Sequence, residues 1–219
     1  EYTTAVTFLT IIATLVEFGL TLTLIQMIAP KEKEEQKIIN GILGLRLASG
    51  IIFYSLTPFF VSFLPYSETT QQAILVGTIA FFFLTAAGLL IGFFQKNLLM
   101  WRFALGEIVN RFLFLGLVIF FALRGMNAVG MMAAMALANI AWFLSVLILA
   151  RPTLAIHPSF DRPVWKEAIL RSWPIGLSTI CNLIYLKGDI MILALYRDPS
   201  EVGLYGVAYK VIDVVTLIP

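Results

Sequence analysis

The chain has 219 residues, of which 60% are hydrophobic and 13% charged, with a net charge of +2 and a mean hydropathy of +0.93. Soluble domains carry about 25% charged residues, so this composition excludes a water-covered globule. The small net charge gives no sign of a nucleic-acid partner, and the single cysteine, Cys181, excludes both a disulfide framework and a cysteine-based metal site.

The hydropathy pattern predicts an all-α integral membrane protein. A helix needs about 20 apolar residues to cross the hydrocarbon core. In chain order the runs 2–29, 38–64, 73–94, 99–123, 128–150 and 169–196 qualify, and a seventh, 202–219, is still apolar where the sequence stops. From its first residue, Glu1, and that last run, the chain is expected to be an internal piece of a longer protein. Barrel strands are about ten residues long and alternate polar with apolar, which these runs do not.

Basic residues alternate between the connections. Lys31, Lys33, Lys37, Lys96, Arg102, Arg151, Arg162, Lys166 and Arg171 follow the first, third and fifth runs; only Arg124 and Arg197 fall on the other side. The positive-inside rule therefore predicts cytoplasmic first, third and fifth connections, with Glu1 starting outside.

Away from the ends of the runs lie eight ionisable residues: Glu17, Arg46, Glu107, Arg111, Lys187, Asp189, Lys210 and Asp213. Facing lipid, they would together cost on the order of 20 kcal/mol, so most are expected to be paired or hydrated. At about 100° per residue, Thr3, Thr7, Thr10, Thr14, Glu17 and Thr21 share one face of the first run. That stripe reads as a cavity wall, although threonines can also bond their own helix's carbonyls. Glu107, Asn110 and Arg111 share a face of the fourth run, and Glu107 with Arg111 has ion-pair spacing. Ser178, Asn182, Tyr185 and Asp189 line one face of the sixth, while Lys187 points about 160° away from Asp189 unless the helix unwinds near Gly188. Pro174 is a candidate kink there. Tyr205, Tyr209, Lys210, Asp213 and Thr216 cover one arc of the seventh.

An enzyme would need a catalytic set, and the one histidine, His157, has no paired carboxylate nearby. Gly41-x-x-Gly44 signals close helix packing and no more. A channel would show a repeated filter. A polar cavity across helices fits a transporter best, with an assembly subunit as the bland alternative.

Short motifs add a resemblance. Glu17-Phe18-Gly19-Leu20 followed by Ala29-Pro30-Lys31 resembles the acidic-Phe-Gly-Leu element of polysaccharide flippases. Lys187-Gly188-Asp189, then Val202-Gly203-Leu204-Tyr205 with Ala208-Tyr209-Lys210, is similar to the seventh and eighth helices of O-antigen and teichoic-acid type exporters. These belong to the multidrug/oligosaccharidyl-lipid/polysaccharide superfamily. The resemblance implies a MATE-like bundle of twelve to fourteen helices, seven of them present here. Residues 1–156 would be helices two to six of the first half, and 157–219 would begin the second. It implies flipping of undecaprenyl-diphosphate-linked oligosaccharide across the bacterial or archaeal cytoplasmic membrane, without a cofactor, alongside glycosyltransferases and a polymerase. Arg46, Arg111, Lys187 and Lys210, with Asn182, Tyr205 and Tyr209, would line the substrate cavity. Glu17, Glu107, Asp189 and Asp213 would balance charge or couple an ion. Four bases against four acids leave a cation-coupled, MATE-like drug or metabolite antiporter as the alternative.

Overall fold

The computed structural model describes residues 1–29, 34–125, 127–152, 155 and 157–216; at 183, 187, 191, 199 and 210–216 it describes the backbone alone. Among the described residues every regular element is a helix. They are α1 (Tyr2–Glu17), α2 (Leu20–Ile28), α3 (Glu35–Ser62), α4 (Glu68–Leu89), α5 (Ile91–Lys96), α6 (Met100–Ala122), α7 (Ala128–Ala150), α8 (Arg162–Tyr196) and α9 (Pro199–Thr216). Where the starts are capped, the reason is local. Ser67, Asn127 and Asp161 each accept a backbone N–H of the following first turn, from Thr70, Gly130 and Val164.

Five stretches are long and apolar enough to cross a membrane: Tyr2–Ile28, Glu35–Ser62, Glu68–Lys96, Met100–Ala122 and Ala128–Ala150. α8 makes a sixth if it is counted across a bend of 53° between Leu186 and Gly188. The predicted runs thus stand as helices, with two refinements. The first run is broken into α1 and α2, and the third into α4 and α5. The seventh is described as α9 to Thr216, and its last residues lie outside the described ones.

The first break is sharp. Phe18 (φ 40°) and Gly19 (φ 73°) are both left-handed, so α1 ends at Glu17 and α2 starts at Leu20 within the one span Tyr2–Ile28. The conformation is free for glycine and costs about 1–2 kcal/mol for Phe18. Packing against α8 holds it: a Cβ on Gly19 would sit 2.9 Å from the Ile175 side chain, and the Phe18 ring lies directly over Gly176. α8 continues through Pro174 as helix, so the predicted kink there is displaced to residue 187. The clamp of Phe18 and Gly19 on the residues just after Pro174 accounts for this.

The apolar interior divides into two clusters stacked along the helices. One joins Leu24, Ile39, Leu89, Phe94, Phe103, Val146 and Ala168 near the lysine-rich connections, here called the basic end. The other joins Leu9, Val16, Tyr54, Ile74, Phe81 and Met132 towards the far end. The α1–α2 span, α3, the α4–α5 span and α7 contribute to both, α6 and α8 only to the first, and polar residues fall between the two levels.

A polar layer between two apolar cores

That intermediate level is the candidate functional site. α1–α2 places Glu17 and Thr21 there, α3 places Arg46, α4 Thr85, and α6 and α7 place Asn110 and Asn139. The two asparagines are bonded to each other and onward to α4. Asn110 Nδ2 donates to Asn139 Oδ1 at 2.8 Å, and Asn139 Nδ2 donates to the Ala80 carbonyl at 2.9 Å, locking α6, α7 and α4 together. In a membrane such bonds act as interhelical glue.

Arg46 is the opposite case. It is 2% exposed, one terminal nitrogen reaches Thr21 Oγ1 at 3.5 Å, and its Nε and Nη1 have no hydrogen-bond partner among the described residues. Glu17 is near enough to act on the guanidinium by Coulomb attraction but forms no ion pair with it. The buried Tyr54 hydroxyl, two turns along α3, lies beside the Thr85 side chain. A buried cation with open N–H groups is held only at considerable cost unless water or an anion answers it.

The other predicted residues fall into separate groups. Arg111 and Glu107 pair at 2.9 Å on the outer side of α6, with side chains 73% and 45% exposed; they line a hollow of about 210 Å³ with Asn110, Asn139 and Trp142. α6 packs chiefly on α7, so this pair sits on the flank away from α8 and α9. Asp189 meets α9: Tyr205 Oη donates to it at 2.8 Å, Tyr209 Oη makes a short bond to the same oxygen, and the Ile190 N–H donates to the other. Asn182 is exposed on α8. The side chains of Lys187, Lys210 and Asp213 lie outside the described residues. The structure therefore brings together Glu17 with Arg46, Glu107 with Arg111, and Asp189 with Tyr205 and Tyr209, but does not gather the three groups into one cavity.

The threonine stripe is also divided. Thr10 and Thr14 bond the carbonyls of Val6 and Thr10 in their own helix, the self-satisfied arrangement open to threonine in apolar surroundings. Thr3 instead packs against Gly206 of α9. Sequence reasoning passed over Asn139 and Tyr54, both uncharged. Asn139 had a legible signal, being the one carboxamide inside an otherwise apolar run.

At the basic end, the first turns of α3 hold the segment that leads into α8. Asn40 Oδ1 accepts the His157 N–H at 3.1 Å, and the Asn40 carbonyl accepts that of Ser159 at 3.0 Å. Gln36 bonds the Ala155 carbonyl, and Trp165 Nε1 donates to the Gly41 carbonyl at 2.8 Å. Gly41 and Gly44 lie where any Cβ would strike Val164 and the Ser159 carbonyl, so the predicted close packing at this pair is against the α7–α8 connection and the start of α8. Glu35 pairs with Lys96 at 2.6 Å, fastening α5 to α3.

Compared with known proteins, the chain matches the family described as "Polysaccharide biosynthesis protein" over residues 1–218. Neither the curated proteins nor the solved structures yield a match.

Proposed function

The chain belongs to the polysaccharide biosynthesis protein family, and from that premise we propose that it flips an undecaprenyl-diphosphate-linked oligosaccharide from the cytoplasmic to the outer leaflet of the cytoplasmic membrane. It is a multi-pass membrane protein of a polysaccharide biosynthesis family.

The observation that carries this reading is Arg46. A diphosphate crossing hydrocarbon needs cations that are themselves poorly satisfied by the protein, because a guanidinium already paired gains little from a new anion. Arg46 has that property among the described residues, whereas Arg111 is engaged by Glu107. Glu17, close but unpaired, would hold the cation's charge while the site is empty. The left-handed break at Phe18–Gly19 gives α1 and α2 a joint at that level, and broken helices beside a substrate site are a recurring transporter device. In this reading the basic end is cytoplasmic, and Lys187 and Lys210 are further anion contacts.

Arg46→Ala is expected to abolish surface polysaccharide at normal membrane levels of the protein, with Arg46→Lys retaining part of it; Lys187→Ala is expected to act like Arg46→Ala. Wild-type polymer from Arg46→Ala would overturn the assignment. The second reading, a cation-coupled antiporter, draws on Asp189 in its cradle of two phenols. Drug efflux that collapses in Glu17→Gln vesicles, with no lipid-linked sugar translocated, would establish it instead.

A further inference from the structure

At the far end, a cavity of about 420 Å³ opens between the α3–α4 turn and the α8–α9 turn. Its lining is mostly polar and includes Tyr66, Thr70, Tyr196, Arg197, Asp198 and Glu201. None of these takes part in the polar layer. Arg46 lies roughly 24 Å down α3 from this mouth at 1.5 Å rise per residue.

The chemistry of the mouth narrows its ligand. Two carboxylates face one guanidinium, so the cavity carries a net negative charge and repels a diphosphate. Among the described residues no cluster of three His, Cys, Asp or Glu could hold a metal ion. An apolar ligand would leave the charged lining unsatisfied. What remains is a ligand rich in hydroxyl or amino groups, able to donate to carboxylates and to accept from an arginine and a phenol.

The cavity has capacity to spare for such a ligand. Arg197 and Glu201 stand 3.7 Å apart, a loose pair with both side chains more than half exposed, so both groups keep open valences. Tyr196 is 81% exposed at the mouth, and its ring adds an apolar face ending in a polar tip, suited to a ligand that alternates C–H faces with hydroxyls.

We propose that this far-end mouth, built from Tyr66, Tyr196, Arg197, Asp198 and Glu201, is a sugar-binding site that takes neutral or amino-bearing glycan residues of the cargo as they reach the outer side. The proposal rests on the flippase reading for the word cargo and for the direction of travel. It separates two tasks along the membrane normal: a cation at mid-depth for the anionic linkage, and an acidic, hydroxyl-lined mouth for the sugar.

The test uses the full chain in lipid nanodiscs and ligand-observed NMR with three free probes: maltose, diacetylchitobiose and a uronic-acid disaccharide. Saturation transfer is expected to maltose and diacetylchitobiose, with binding of the uronic-acid probe at least fivefold weaker. Tyr196→Phe and Glu201→Gln should each weaken the first two about tenfold, the scale of one lost hydrogen bond, the stronger kind for a charged group. No transfer to any probe, equal binding of the acidic one, or full binding in both variants would overturn the site. A parallel proteoliposome assay with lipid-linked oligosaccharide keeps the two readings apart. Translocation without sugar binding at the mouth sinks this inference and leaves the flippase standing; sugar binding without translocation does the reverse.

Discussion

The two ends of the molecule are made of similar helices and are joined in different ways. At the basic end, directed bonds tie α3 to its neighbours: Asn40, Gln36 and Gly41 hold the connection into α8, and Glu35 holds Lys96. At the far end, α9 touches α1 where Gly206 packs on Thr3, the α8–α9 turn faces the α3–α4 turn across a polar cavity, and the ion pair there is loose and solvent-exposed. Between apolar helices in lipid, packing alone discriminates little between one arrangement and another. Polar bonds therefore decide where two groups of helices stay together and where they are able to part. The basic end has the character of a fastening, and the far end that of an opening.

Substitutions that remove these bonds should rank accordingly, read as thermal unfolding of the purified protein in nanodiscs. The largest effect is expected from Gly44→Val, because its side chain would collide with the backbone oxygen of Ser159, which cannot rotate aside. A cost of about 3 kcal/mol is expected, together with faster proteolysis within residues 151–161. Unchanged proteolysis would show that the connection is not seated on α3. Asn40→Ala comes next, at about 2 kcal/mol, since it strands the His157 N–H and weakens the hold on Ala155. Glu35→Gln should cost about 1 kcal/mol, its pair with Lys96 being only about one-fifth exposed. Glu201→Ala should cost less than about 0.5 kcal/mol, because its partner Arg197 is 3.7 Å away and well hydrated. A far-end loss as large as that of Asn40→Ala would erase the contrast between the ends.

Much of the fold was legible because its determinants are local. Apolar length set the helices, and Asp161 and Asn127 sit where side-chain oxygens cap a first turn. The site was less so. Periodicity identified Glu107–Arg111 as a group because both lie within one helix; it placed Asp189 on a face of the sixth run and Tyr205 with Tyr209 on an arc of the seventh, but did not show that the two faces meet. It could not show that Arg111 and Asp189 lie on different flanks, which depends on how α6 packs against α7. Nor could it distinguish Thr10, bonded to its own helix, from Thr3, packed on α9. The position of the bend was ambiguous between Pro174 and Gly188, because proline permits a kink that only tertiary neighbours enforce or suppress.

The joint at Phe18–Gly19 also bears on how the chain is assembled. It is synthesised before the surface that holds it, Ile175 and Gly176 of α8. Until α8 has been inserted, that surface cannot brace a left-handed pair in the middle of a nascent span, and the span is free to run as one uninterrupted helix. Contacts so distant in sequence close late. The broken form of this span is thus a product of maturation: a helix made before α8 acquires its working shape only once α8 has arrived.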